Sequence, residues 1–288
     1  MSNGNKKDSP PAPPDIIEKI QAFLDNNLPD LALALIEKFG LQIDIQDGRI
    51  VDKLNSTEFW LKKFITIDNQ TTAMKDSIRK LAKVDDEVLI TGPSGSGKEL
   101  IAHALMGNRE GSFVPVNCAG LPDTLIDSLL FGHKKGSFTG ADTDKAGFCV
   151  AARDGILFLD EIGELPITLQ AKLLRAIQEK KILPIGDTKE REISCRFVFA
   201  THRNLQQMIA ESQFRIDLFA RISTFEIAIK GLKDRKCDII PIIESLDGGH
   251  AYINYMQSRG KINPETIDVN LGVRSLQQLV RRHKVLHT

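Results

Sequence analysis

An apolar run, Val88-Leu89-Ile90-Thr91, leads directly into Gly92-Pro93-Ser94-Gly95-Ser96-Gly97-Lys98-Glu99, and an amphipathic helical pattern (Leu100, Ile101, Ala104, Leu105) follows at once. This order of buried strand, glycine loop and helix constrains the chain more than any other segment. The glycines let backbone N–H groups turn toward phosphate oxygens, the start of the helix adds partial positive charge, and Lys98 can reach a β- or γ-phosphate. The general pattern is G-x-x-x-x-G-K-[ST], and Glu99 stands where that pattern has a magnesium-binding hydroxyl. Taken alone, the segment is also compatible with a glycine-rich turn that holds no phosphate. A second element favours the phosphate reading: Gly155-Ile156-Leu157-Phe158-Leu159-Asp160-Glu161 is an apolar strand ending in two acids. In P-loop ATPases the first such acid, here Asp160, holds magnesium. The second, Glu161, is placed to polarise an attacking water as a general base. ATP and Mg are the expected cofactors.

Further strands are expected at Phe113–Asn117 and Arg196–Thr201, with helical segments such as 73–82 between strands. Strands alternating with helices give an α/β fold, a parallel sheet flanked by helices. From Gly231 the pattern is helical to the end. Upstream, Pro10, Pro11, Pro13 and Pro14 mark a disordered tail. Helices are expected over Ile16–Leu24 and Pro29–Phe39, a hairpin turning at Asp47-Gly48, and a helix around Phe59 and Trp60 opened by an Asn55/Glu58 capping box. The expected division is a tail at 1–14, a small mixed module at 15–68, an α/β domain at 69–230 and a helical lid at 231–288.

Composition sets outer bounds. Lys+Arg and Asp+Glu are both 38, so the 288-residue chain is formally neutral, which argues against a generally polybasic nucleic-acid binder. No apolar run reaches the roughly 18–20 residues that span a bilayer, and the N-terminus has no apolar signal region. Cys118, Cys149, Cys195 and Cys237 are widely spaced and form no C-x-x-C pair. That fits a cytoplasmic location and supplies neither a zinc nor a disulfide framework.

Longer motifs are more specific. Phe131-Gly132-His133-Lys134-Lys135-Gly136-Ser137-Phe138-Thr139-Gly140-Ala141 is close to FGHEKGAFTGA. Val116-Asn117-Cys118-Ala119, Leu159–Pro166, Leu169–Arg175, Phe214–Leu218 and Leu232–Arg235 extend the match. Over roughly residues 70–288 the chain resembles the AAA+ ATPase domain of bacterial enhancer-binding proteins, which activate RNA polymerase carrying sigma-54. In that family the P-loop reads GKE, so Glu99 is the expected residue.

The resemblance implies a P-loop AAA+ core with a C-terminal helical lid, and a homo-oligomeric ring, a hexamer, that hydrolyses ATP to remodel the sigma-54 RNA polymerase closed complex. The loop Gly136, Ser137, Phe138, Thr139, Gly140 and Ala141 would contact sigma-54, with Phe138 and Thr139 at its tip. Asn117 would hydrogen-bond Glu161 and hold it idle. Thr201 would sense the γ-phosphate. Arg215 and Arg221 would act as arginine fingers on a neighbour's nucleotide, and Arg274 would be the lid arginine. Gly92, Pro93, Ser94, Gly95, Ser96, Gly97, Lys98, Glu99, Asp160 and Arg274 are the implied nucleotide-binding residues.

Departures from the family pattern are local. Cys149 and Pro184 replace a Glu and an Arg thought to link the nucleotide site to the Phe138 loop, and the lid reads as shortened. Neither a receiver domain nor a C-terminal helix-turn-helix is expected, so no sequence-specific DNA binding is expected from this chain. Two alternatives stay open at this level: a remodeller of a different client, and a hydrolysis-impaired regulatory subunit of such rings.

Overall fold

The structure is a computed structural model that describes residues 45–46, 49–50, 57–120, 122–259 and 263–287. The expected tail, the helices over 16–39 and the Asn55 cap lie outside the described residues. The expected hairpin is present as β1 (Ile45–Gln46) and β2 (Arg49–Ile50), antiparallel, with Ile45 opposite Ile50.

Helix α1 (Thr57–Lys63) carries Phe59 and Trp60, and α2 (Asn69–Leu81) follows. The Asp68 carboxylate starts α2 by accepting from Thr71 N (2.8 Å) and Thr71 Oγ1 (2.7 Å), a side-chain N-cap that satisfies a helix-end donor. The sequence groups α1 with residues 15–68, yet it packs on the α/β body. Leu61 and Phe64 are buried with Val88, Ile90, Ile101 and Leu105. The Trp60 ring stacks on His103 at 4.0 Å, and His103 on Phe113 at 3.7 Å. Burial pushes His103 down to about 4, so the stacked ring is neutral near pH 7.

The body continues as β3 (Val88–Thr91), α3 (Lys98–Ala104), β4 (Phe113–Asn117), α4 (Asp123–Phe131), the short antiparallel pair β5 (Gly132–His133) and β6 (Lys145–Ala146), and α5 (Phe148–Ala151). Next come β7 (Ile156–Asp160), α6 (Ile167–Glu179), the pair β8 (Lys181–Ile182) and β9 (Arg191–Glu192), β10 (Arg196–Thr201), α7 (Leu205–Ala210), α8 (Ile216–Ile222) and β11 (Phe225–Ala228). Strands β11-β3-β10-β7-β4 form one parallel sheet in that order. Each central strand is apolar on both faces, as a sheet covered twice by helices requires. Val88, Ile90, Ile156, Phe158, Val198 and Ala200 face one cluster, while Leu89, Leu157, Leu159, Phe197 and Phe199 face the other.

The lid comprises α9 (Ile239–Ser245), α10 (Gly249–Ser258) and α11 (Val273–His287). It has its own apolar cluster, with Ile239, Ile243, Tyr252, Leu276 and Val280 among its buried members. A buried ion pair fastens it to the body. Arg235 Nη1 donates to Asp238 Oδ2 at 2.9 Å, Arg235 Nη2 donates to the Ser96 carbonyl at 2.9 Å, and Arg235 Nε to the Lys230 carbonyl at 3.1 Å. Asp238 also accepts from Thr66 Oγ1 (2.7 Å), Ile67 N (2.6 Å) and Asp68 N (3.1 Å).

Removing one partner leaves an uncompensated buried charge, which costs about 3–5 kcal/mol. Asp238→Ala is therefore expected to lower stability by that amount in urea unfolding. Glu58→Ala, which breaks the exposed pair with Arg79, is expected to cost no more than about 1 kcal/mol. Equal effects would refute the assignment of Asp238 as a central tie.

Candidate active site

Residues 92–97 wrap a cradle at the carboxyl end of β3. Gly95 and Gly97 hold φ of +71° and +100°, conformations that favour glycine. Space requires glycine too: a Cβ on Gly97 would lie 2.8 Å from the Phe64 ring, and one on Gly95 would lie 2.2 Å from the Leu271 carbonyl oxygen. Lys98 is buried, and its ammonium folds back to the Gly92 (2.9 Å) and Pro93 (3.3 Å) carbonyls. Burial pushes its pKa down, while Glu161 and Asp160 oppose that shift. Pro93, Ser94 and Glu99 are exposed, and Ser96 is buried with its Oγ unpartnered.

Asp160 and Glu161 end β7. Burial raises the Asp160 pKa, and the neighbouring Glu161 charge adds to the rise. The Glu161 backbone is left-handed, at φ 54° and ψ 50°. Its Oε1 lies 3.9 Å from Lys98 Nζ, and its Oε2 accepts from His202 Nδ1 at 2.6 Å and from His202 N at 3.2 Å. Asn117 does not make the expected bond to Glu161. Its Oδ1 accepts from Ala119 N at 2.9 Å, a local turn bond of the kind short polar side chains make at strand ends. Thr201 is fully buried at the end of β10. Its carbonyl accepts from Gly92 N (3.2 Å), and its Oγ1 accepts from Arg203 N (3.0 Å).

The two arginines have different partners. Arg215 precedes α8, is largely exposed, and pairs with Asp217 at 2.7 Å. Arg221, near the end of α8, reaches buried Glu87 at 3.1 Å, at the amino end of β3 and so away from the chain's own cradle. Gln170 was a motif match without a role in the sequence. It is fully buried, and its amide donates to the Leu165 carbonyl (2.9 Å) and the Gln213 carbonyl (3.2 Å) while accepting from Arg215 N (2.8 Å). It thus ties the segment after Glu161 to the start of α8.

Arg274 is exposed on α11, and its charge acts on both Lys98 and Asp160. The start of α11 is seated on the cradle: Val273 N donates to the Gly95 carbonyl at 3.0 Å. Sequence reasoning notes His202 only as a departure from the Asn that usually follows Thr201 in the family, gives Gln170 no role, and misses the Arg235–Asp238 tie. The available signals were a histidine directly after a strand end, and polar residues inside otherwise apolar stretches.

The loop at 136–141 stands apart from the cradle. Phe138 and Thr139 are exposed, and the Phe138 ring leans edge-on against His133 at 5.0 Å. Ala141, expected among the contact residues, is instead buried. It closes the base of the loop by accepting from Gly136 N at 2.8 Å, since a small apolar residue fills the space beneath a turn. Ser137 packs against Gly186, where an added Cβ would lie 2.6 Å from Ser137 Cβ.

A glycine cradle and a lysine after β3, and two acids at the end of β7 one strand away, under a helical lid, define a P-loop α/β domain of the AAA+ class. Residues 64–228 match the sigma-54 interaction domain, and the chain belongs to that family. It is 41% identical over 219 residues to regulatory protein AtoC of Escherichia coli K12, covering 74% of this chain and 47% of AtoC. It is 45% identical over 177 residues to response regulator protein PilR of Pseudomonas aeruginosa, covering 60% of this chain and 40% of PilR. The chain therefore spans less than half the length of these curated relatives. The crystal structure of NtrX from Brucella abortus in complex with ATP superposes with a TM-score of 0.67 at 25% identity, covering 92% of this chain and 55% of NtrX. No helix among the described residues is long and apolar enough to cross a membrane.

Gly95→Ala combines a strained φ with a clash at the Leu271 carbonyl. It is expected to cost about 1–3 kcal/mol, seen as a lower Tm, and to weaken binding of a fluorescent ATP analogue. An unchanged Tm and affinity would show that the lid does not rest on this loop.

Proposed function

We propose that this chain is a ring ATPase that hydrolyses ATP with magnesium and remodels the sigma-54 RNA polymerase closed complex. The convergence of Lys98 beyond β3 with Asp160 and Glu161 at the end of β7, across the intervening β10, carries the reading: Lys98 Nζ lies 3.9 Å from Glu161 Oε1. The ATP and ADP complexes of NtrX support nucleotide as the ligand. In this reading the cradle from Gly92 to Gly97 encloses the phosphates, and Lys98 exchanges its carbonyl partners for a β- or γ-phosphate oxygen. Magnesium suits the residues present. A partly buried Asp160 whose ionised form is disfavoured gains from a nearby divalent charge, and the unpartnered Ser96 hydroxyl offers a further polar group to the phosphate side. When bound, the metal would neutralise charge on the transferred phosphoryl group. Glu161 takes a proton from the attacking water, Thr201 lies at the strand end nearest the phosphates, and Arg274 adds positive charge from the lid.

Arg215 serves as the finger that reaches a neighbour, because among the described residues its side chain pairs only with exposed Asp217. Arg221 joins it where the subunit contact draws it from Glu87. Such a division requires a homo-oligomeric ring, a hexamer in this proposal. Phe138 and Thr139 present the contact to sigma-54: an apolar ring held between glycines on an exposed loop has little core to enter.

ATP turnover is expected to rise more steeply than first order in protein concentration, and a specific activity independent of concentration would refute action in trans. Lys98→Ala is expected to abolish turnover. Sigma-54 is expected to be captured in the presence of ADP–aluminium fluoride, and Phe138→Ala to lose the capture. Turnover without any capture would sink the sigma-54 assignment while leaving the ATPase intact.

A further inference from the structure

The two oxygens of the Glu161 carboxylate have different surroundings. Oε2 receives two donors from one residue, the imidazole Nδ1 of His202 at 2.6 Å and the His202 backbone N–H at 3.2 Å. Oε1 faces the Lys98 ammonium at 3.9 Å, and so faces the cradle. An ionised carboxylate only accepts hydrogen bonds, so Nδ1 carries the proton in this contact.

Strand order explains why His202 reaches this carboxylate. β10 lies between β3 and β7, and Phe199 pairs with Leu159 in parallel register. Residues just beyond the two strand ends therefore lie side by side. Asn117 and Thr201 also stand at these strand ends, but neither bonds Glu161 among the described residues: Asn117 Oδ1 accepts from Ala119 N, and Thr201 Oγ1 accepts from Arg203 N. The Glu161 backbone is left-handed where the chain leaves β7, and its side chain meets His202 beyond the end of β10.

We propose that His202 is the positioning residue for Glu161. Its two donors fix Oε2 and leave Oε1 turned to the cradle as the oxygen that accepts the proton. The proposal rests on the reading of Glu161 as general base. In the step itself, water gives a proton to Oε1 as its oxygen bonds the γ-phosphorus. The bond from that phosphorus to the bridging oxygen breaks, and its electron pair leaves on ADP. Glu161 then returns the proton to solvent. A general base acts only within hydrogen-bond reach of the proton it takes, and a carboxylate fixed beforehand avoids ordering during the reaction. Charge-assisted bonds at this distance are the strong kind.

The test measures steady-state ATP hydrolysis by the full chain at protein concentrations where specific activity has reached its plateau. His202→Ala is expected to lower kcat about 10- to 100-fold, with KM for ATP and affinity for a fluorescent ATP analogue changed by less than about twofold. His202→Asn, whose amide can donate from the same position, is expected to recover at least about tenfold of the loss. A kcat for His202→Ala at or above that of the native chain would mean restraint instead of positioning and would overturn the proposal. So would a loss confined to KM, or no recovery in His202→Asn. Combined with Glu161→Gln, His202→Ala is expected to have no further effect, and an added loss would overturn action through Glu161. Undiminished turnover in Glu161→Gln alone would instead remove the general-base reading. Nitrogen-15 NMR of labelled histidine in the native chain gives a readout besides turnover. A His202 ring protonated at Nδ1, shifted by Glu161→Ala, is expected; the Nε2–H tautomer would overturn the contact.

Discussion

The Arg235–Asp238 pair is the interaction on which the arrangement of cradle and lid depends. Both side chains are buried, and burying either alone would be strongly unfavourable. The pair is tolerated because nearly every remaining donor and acceptor is used: the Ser96 and Lys230 carbonyls by Arg235, and Thr66, Ile67 and Asp68 by Asp238. The guanidinium also lies over the Phe64 ring, 5.2 Å from its centroid, and that same ring closes the space beneath Gly97. One polar cluster thus fixes the backbone of the phosphate cradle, the entry to α2 and the first turn of the lid relative to one another. A lid tied to the cradle by backbone contacts is suited to respond to what the cradle holds.

Around this tie, sheet order concentrates the chemistry. β10 between β3 and β7 puts the ends of three strands beside one cleft, the usual ligand position at the carboxyl ends of a parallel sheet. Lys98, Asp160, Glu161, Thr201 and His202 meet there although they span more than a hundred residues of sequence. Gln170 extends the same unit toward α8 through three backbone contacts. The backbone at Arg215 and the segment following Glu161 are therefore positioned by one buried amide, a short mechanical path between a subunit's acids and the arginine it would offer to a neighbour.

The loop carrying Phe138 is braced differently. Cys149 is buried among apolar side chains, where burial holds its thiol well above the usual range, and Pro184 lines a cavity beside Phe131 and Leu183. Neither supplies a charge. The bracing is by backbone and small residues: Lys134 N donates to the Ile185 carbonyl (2.9 Å), Ile185 N to the Gly132 carbonyl (3.0 Å), and Ser137 rests on Gly186. Lys134 adds a pair with Asp144 at 2.6 Å and a longer approach to Asp187 at 4.0 Å. The loop and the β8–β9 turn are thus packed against each other by backbone bonds and small residues.

The sequence by itself determined the strands that end at Thr91, Asp160 and Thr201, because a strand buried on both faces must be a continuous apolar run and its polar terminus marks the site; it also placed the half-buried edge strand that ends at Asn117. It also determined the cradle, through glycine, and the exposed Phe138 tip, through flanking glycines. It did not determine that α1 belongs with the α/β body, since an amphipathic face reveals that it needs a partner but not which one. Nor did it determine that Ala141 lies under its loop, that Asn117 serves its own turn, or that His202 takes the carboxylate of Glu161. Those outcomes follow from strand order and from competition among hydrogen-bond partners brought together only by folding. Arg235 and Asp238 make the same point: their short spacing is visible in the chain, but the burial that makes the pair central exists only once cradle, α2 and lid have closed around it.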